Sequence, residues 1–137
     1  MTSRCVFPLL LVLELSGCAT LAAPDPEGSP ARVILAPLLT RRNPSAGILS
    51  IRREPGTIGE ECRHRVFLDG NPVADLRPNE VVNIYALPGE HVLRVEQTGS
   101  SCHGGSEVAA TSEKGRLHSF TTLDLSPNGA LLTATAK

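Results

Sequence analysis

Tryptophan is absent from the 137 residues, and Phe7, Phe67, Tyr85 and Phe120 are the whole aromatic set. Stacking platforms for bases or sugars therefore have little material to be built from. Neither charge is in real excess, with 13 Lys and Arg against 14 Asp and Glu, so a nucleic-acid partner has no electrostatic footprint. Long hydrophobic runs are missing too. The apolar stretch Val6 to Leu13 falls far short of the ~20 residues that cross a bilayer as a helix. No segment carries a sustained 3.6-residue apolar stripe, which argues against a helical bundle. No Gly-x-Ser-x-Gly elbow is present for a nucleophilic serine. What the chain has instead is proline (11) and glycine (12), the punctuation of short strands and tight turns. Its length suits one domain.

The N-terminus reads as a secretory signal: Arg4 is the positive residue, Val6 to Leu13 the apolar run, and small residues follow. Leu15-Ser16-Gly17-Cys18 resembles the lipobox of bacterial lipoproteins. That resemblance implies cleavage after residue 17 and acylation of Cys18, and several acyl chains give stable anchoring where one is marginal. Ala19, rather than aspartate, follows the cysteine, which implies sorting to the outer membrane with the domain facing the periplasm. Residues 18–31 have the composition of a flexible tether, with Pro24, Pro26 and Pro30. With Cys5 lost and Cys18 lipidated, Cys62 and Cys102 remain, and in an oxidising compartment two thiols read as one disulfide.

Residues 32–137 are expected to form the domain. The run 33–39, broken by Pro37, suits an edge strand. Leu49 and Ile51 face one way in the next strand. Cys62, His64, Val66 and Leu68 alternate with Arg63, Arg65, Phe67 and Asp69, and the first set is expected to face the core. Asp69-Gly70-Asn71 supplies the positive-φ residues of a hairpin. Arg77-Pro78-Asn79-Glu80 and Pro88-Gly89 mark two more turns, and Pro127-Asn128-Gly129 the last. Seven or eight short strands at this spacing predict an all-β fold, a β-sandwich or a small barrel, and a small antiparallel β-sandwich is the expectation.

Val66-Phe67-Leu68-Asp69-Gly70, Val73-Ala74-Asp75-Leu76 and Pro88-Gly89-Glu90-His91-Val92-Leu93-Arg94-Val95 together resemble the PEGA-type β-domains and related small lipoproteins. The resemblance covers about residues 65–95. It implies a β-sandwich with envelope placement, one hairpin at Asp69-Gly70 and another at Pro88-Gly89, and no enzyme activity.

Four residues, Cys62, His64, Cys102 and His103, have the chemistry of a zinc set, but their spacing matches no finger and an exported cysteine pair prefers oxidation. No metal site and no cofactor are therefore expected. Asp69, Asn71 and Asp75 are explained by turns rather than calcium. Arg41, Arg42, Arg52, Arg53, Arg63 and Arg65 would form a basic stripe if their strands were neighbours, or a solvated face balanced by Glu54, Glu60 and Glu61. The expectation is a non-enzymatic structural or interaction module, attached to the membrane through its lipid, with an envelope protein as partner. Two other readings are a small-ligand or metal-binding protein using His64, His91 and His103, and an inhibitor presenting loop 98–106.

Overall fold

Alternation builds the strands. In Gly47–Arg53 the residues Gly47, Leu49, Ile51 and Arg53 are buried while Ile48, Ser50 and Arg52 turn outward. The same period of two recurs in Arg63–Leu68, Glu80–Ala86 and Leu117–Asp124, so each strand gives one face to the core. The computed structural model describes residues 28–56, 61–125 and 129–135. The expected signal segment, the lipidated Cys18 and most of the tether lie outside the described residues.

Ten strands and one helical turn occur among those residues. They are β1 (Ser29–Pro30), β2 (Val33–Ile34), α1 (Pro37–Thr40), β3 (Gly47–Arg53), β4 (Arg63–Leu68) and β5 (Asn71–Leu76). Then come β6 (Glu80–Ala86), β7 (Gly89–Thr98), β8 (Gly105–Ser112), β9 (Leu117–Asp124) and β10 (Ala130–Ala134). One sheet runs β1-β6-β3-β9-β10, the other β2-β5-β4-β7-β8. The two pack as the expected sandwich and do not close into a barrel, the alternative that strand spacing leaves open. The core between them is aliphatic: Leu49, Ile51, Val82, Ile84 and Leu132 from the first sheet meet Val66, Leu76, Leu93 and Val95 from the second. Phe120 is its one aromatic. Each such side chain contributes about 1.5–3 kcal/mol when fully buried.

Four details differ from the sequence expectation. First, the sheets are not wholly antiparallel, because β3 pairs parallel with β9 and β1 parallel with β6. The chain returns to the first sheet only after the β7–β8 hairpin, so β9 enters beside β3 from the same end. Second, Pro88-Gly89 makes no hairpin. It carries the chain from β6 in one sheet to β7 in the other, and Arg77–Glu80 carries it likewise from β5 to β6. Val82 and Ile84 thereby face Leu93 and Val95 across the core instead of lying beside them. Asp69-Gly70 does make a hairpin, between β4 and β5, with φ of 50° and 82°; the positive φ is why glycine sits there.

Third, the end of the expected tether belongs to the fold. Ser29 N donates to Asn79 O (2.8 Å) and Ala31 N to Val81 O (2.9 Å), seating β1 on β6. The chain then crosses to pair β2 with β5. Pro30 is tolerated because it lies on an edge and owes no ladder bond there. Fourth, the run 33–39 gives only the two residues of β2 before Pro37 opens α1, proline being preorganised for a first helical turn. On the opposite side Leu132 N of β10 donates to Ser106 Oγ of β8 (2.7 Å), so the second pair of edges is linked by a side chain rather than a ladder.

Candidate functional site

At one end of the sandwich the core-facing register of several strands runs out into polar residues. Arg53 continues the inward row of Leu49 and Ile51, His64 that of Val66 and Leu68, and Gln97 that of Leu93 and Val95. Thr122 and Asp124 continue the row of Phe120. Arg53, His64 and Thr122 are all 0 % exposed.

The groups satisfy one another. Arg53 Nη2 donates to both oxygens of Asp124 (3.2 and 3.1 Å), and its Nη1 donates to the carbonyls of Cys62 (2.6 Å) and Leu76 (3.1 Å). His64 Nε2 lies 2.7 Å from Asp124 Oδ1, and its Nδ1 3.0 Å from Thr122 Oγ1. Gln97 Nε2 donates to Asp124 Oδ1 (3.2 Å) and Gln97 Oε1 accepts from Gly129 N (3.2 Å). Burial, and secondarily the positive charge of Arg53, pull the His64 pKa from 6.5 down to about 4, against the raising pull of Asp124. His64 is thus neutral at pH 7. Because the carboxylate can only accept, the tautomer is fixed: Nε2–H donates to Asp124 and Nδ1 accepts from the Thr122 hydroxyl. One buried arginine charge meets one carboxylate charge.

The order Asp124, His64, Thr122 has the connectivity of a carboxylate–imidazole–hydroxyl relay. Thr122 is 0 % exposed, so its hydroxyl is not presented to a substrate carbonyl in this arrangement. What the arrangement can do is hold the two sheets together where the aliphatic core stops. Truncating Arg53 or Asp124 would leave the other charged and without its ion-pair partner, at about 3–5 kcal/mol.

The disulfide expected from the cysteine arithmetic is present. Cys62 and Cys102 are bonded, with Cα atoms 5.7 Å apart and a sequence separation of 40. It pins the β7–β8 loop to the first residue before β4, directly above the Arg53 bond to Cys62 O. Gly99, at φ 143°, lies against it, and a Cβ there would fall 2.8 Å from Cys102 Sγ. Closing a loop of this size stabilises by ~4 kcal/mol in the chain-entropy account.

The three histidines proposed as ligands are not brought together. His64 is in the buried cluster. His91, at the start of β7, sits between Asp69 Oδ2 and Leu87 O, both at 2.6 Å. Burial lowers its pKa, but the hydrogen bonds to Asp69 and Leu87 and the Asp69 charge outweigh it, so the net shift is upward. Asp69 is held below its usual range, chiefly by the His91 hydrogen bond and also by Val92 N–H. Both partners of His91 are acceptors, so only the doubly protonated ring makes both bonds. His103 is exposed and lines a separate hollow of about 430 Å³ beside Cys102. Among the described residues no group of three or more His, Cys, Asp and Glu is placed to hold a metal ion.

The arginine stripe is not formed. Arg52 and Arg53, as adjacent strand residues, point to opposite faces; Arg52 donates to Asn79 Oδ1 and Arg53 enters the core. Arg65 pairs with Asp75 through two bonds (2.7 and 3.0 Å) on the outside of the other sheet. Arg41 and Arg42 are exposed ahead of β3. Sequence reasoning thus missed Arg53, Gln97, Thr122 and Asp124. The signal for Arg53 was the step of two from Leu49 and Ile51.

Set against protein-family models, curated proteins and solved structures, the chain gives no match.

Proposed function

We propose that the protein is a lipid-anchored envelope module: a disulfide-linked β-sandwich attached to the outer membrane through Cys18, facing the periplasm and acting by interaction rather than catalysis. The observation that carries this reading is the Cys62–Cys102 disulfide, a bond suited to an oxidising compartment, downstream of Leu15-Ser16-Gly17-Cys18. The sealing of the polar cluster supports it, because the most reactive-looking groups are committed to one another. The likeness of residues 65–95 to PEGA-type domains belongs to the same reading. Nine residues lie between Cys18 and Gly28, where the described fold begins, so the anchor can stand at most about 35 Å from the β1 edge.

The test is the intact mass of the protein recovered from the membrane fraction. An acylated N-terminal Cys18 and no free thiol are expected. Recovery in the soluble fraction with no acyl mass, or with two titratable thiols, would sink the reading. Photo-crosslinking in native envelopes then identifies the partner.

A further inference from the structure

The turn that follows β2 carries apolar side chains outward. Ile34, Ala36 and Leu39 pack against the core, whereas Leu35 and Leu38, three residues apart, are 42 % and 77 % exposed. Leu87, Val92, Leu117 and Leu125, the other exposed large hydrophobics among the described residues, are spaced more widely along the chain, and single ones are ordinary. The leucine pair is held out on a fixed backbone. Leu35 N and Ala36 N both donate to Val73 O (2.7 and 3.2 Å), Leu39 N donates to Ala36 O (3.1 Å), and Pro37 sets the first φ of α1.

Cations frame the leucines. Arg32 precedes them, its side chain 74 % exposed and in one contact with Glu80 at 3.6 Å, and Arg41 and Arg42, both exposed, follow. No Asp or Glu occurs in the sequence between Gly28 and Arg53. The strands on which α1 packs, β5 and β6, carry Asp75 and Glu80, and both carboxylates are buried. The exposed charge of residues 32–42 is therefore of one sign.

We infer that this turn docks on an anionic phospholipid surface, with Leu35 and Leu38 in the boundary between acyl chains and headgroups and Arg32, Arg41 and Arg42 among the phosphates. Aliphatic side chains flanked by arginine suit that boundary, because the arginine stem lies in the apolar layer while its head stays with the phosphates. A protein partner fits less well, since interface cores are built on aromatic anchors and residues 28–53 contain none. The inference rests on the lipid-anchored reading, and adds which side of the domain the membrane meets. Leu35 stands at most about 25 Å along the chain from Gly28, inside the ~35 Å reach of the nine residues that precede it, so acylated Cys18 and the leucines can enter one surface. Anchoring also makes docking intramolecular, so a small patch suffices.

The experiment uses the protein lipidated as the cell makes it, inserted in nanodiscs of phosphatidylglycerol and phosphatidylethanolamine doped with nitroxide-labelled lipid. Amide signals of residues 32–42 are expected to broaden, while those of β8 and β10 stay sharp. Leu35→Ser and Leu38→Ser should each lower the docked-to-free ratio about tenfold. Arg41→Gln and Arg42→Gln should each lower it about fivefold, and discs of phosphatidylcholine alone should do so too. These positions are exposed, and an unchanged urea midpoint checks that the fold stands. Arg94→Gln, on β7, should change nothing. Broadening spread evenly over both sheets, or indifferent to the leucine and arginine changes, overturns the inference. A photo-crosslink from position 38 that captures a protein instead of lipid overturns it as well. Intact mass separates the two readings: an acylated Cys18 without broadening at residues 32–42 removes the docking and keeps the anchored module, whereas an unacylated Cys18 removes both.

Discussion

Acid should loosen this fold well before its carboxylates titrate, and His64 is the reason. Its side chain is 0 % exposed, and burial together with the Arg53 charge lowers its pKa from 6.5 to about 4. The unfolded chain binds the proton more readily, so the stability His64 contributes is complete above pH 6.5 and is lost as pH falls toward and through about 4. A shift of that size corresponds to about 3 kcal/mol in all, with roughly 2 kcal/mol already gone at pH 5. His91 does not confuse the window. Its pKa is raised, so its contribution is full below about 6.5 and lost only as pH rises through the folded value. Asp69 is lowered, and what it adds survives until pH falls through that lowered value. Urea unfolding followed by circular dichroism at pH 7, 6, 5 and 4 measures the loss, with His64→Gln as reference, whose curve should be flatter across the window. NMR should show the His64 ring titrating near 4. A parent protein equally stable at pH 7 and 5, or a His64 ring titrating near 6.5, would refute the reasoning.

Reducing the disulfide, or replacing Cys62 and Cys102 by alanine, should lower stability by ~4 kcal/mol, read as the difference in urea midpoint with and without reductant. Asp69→Ala should return the His91 ring toward its ordinary pKa and remove its imidazolium pairing, at a cost below about 1 kcal/mol because the pair is partly solvated; the ring titration by NMR reads it directly.

Much of the fold was legible because strand alternation is written into the chain. Cys62, His64, Val66 and Leu68 face inward as the period of two predicts, and Asp69-Gly70 makes its hairpin because few other pairs accept two positive φ values. Sheet assignment was not legible. Pro88-Gly89 turns the chain equally well into a neighbouring strand or across to the facing sheet, and only the packing of Ile84 and Val82 against Leu93 and Val95 decides. The two-residue strands β1 and β2 were hidden for another reason. Ser29 and Pro30 have no strand propensity, and backbone bonds to β6 hold them there. The buried cluster was missed because Arg53 and Asp124, 71 residues apart, are ordinary surface residues until parallel pairing of β3 and β9 brings their strand ends together. Arginine next to arginine suggested a charged stripe, although alternation must send the two apart.

The central claim is that Arg53, His64, Thr122 and Asp124 fasten the sheets and leave function to the surface. The stability of Arg53→Met, Asp124→Leu and the double variant tests it most directly. Each single change should cost about 3–5 kcal/mol by stranding the other buried charge, and the double should cost clearly less than the sum of the two, because the charges leave together while the Cys62 and Leu76 carbonyls and the His64 and Gln97 N–H groups still lose their partners. A double variant as unstable as the sum of the singles would contradict the claim.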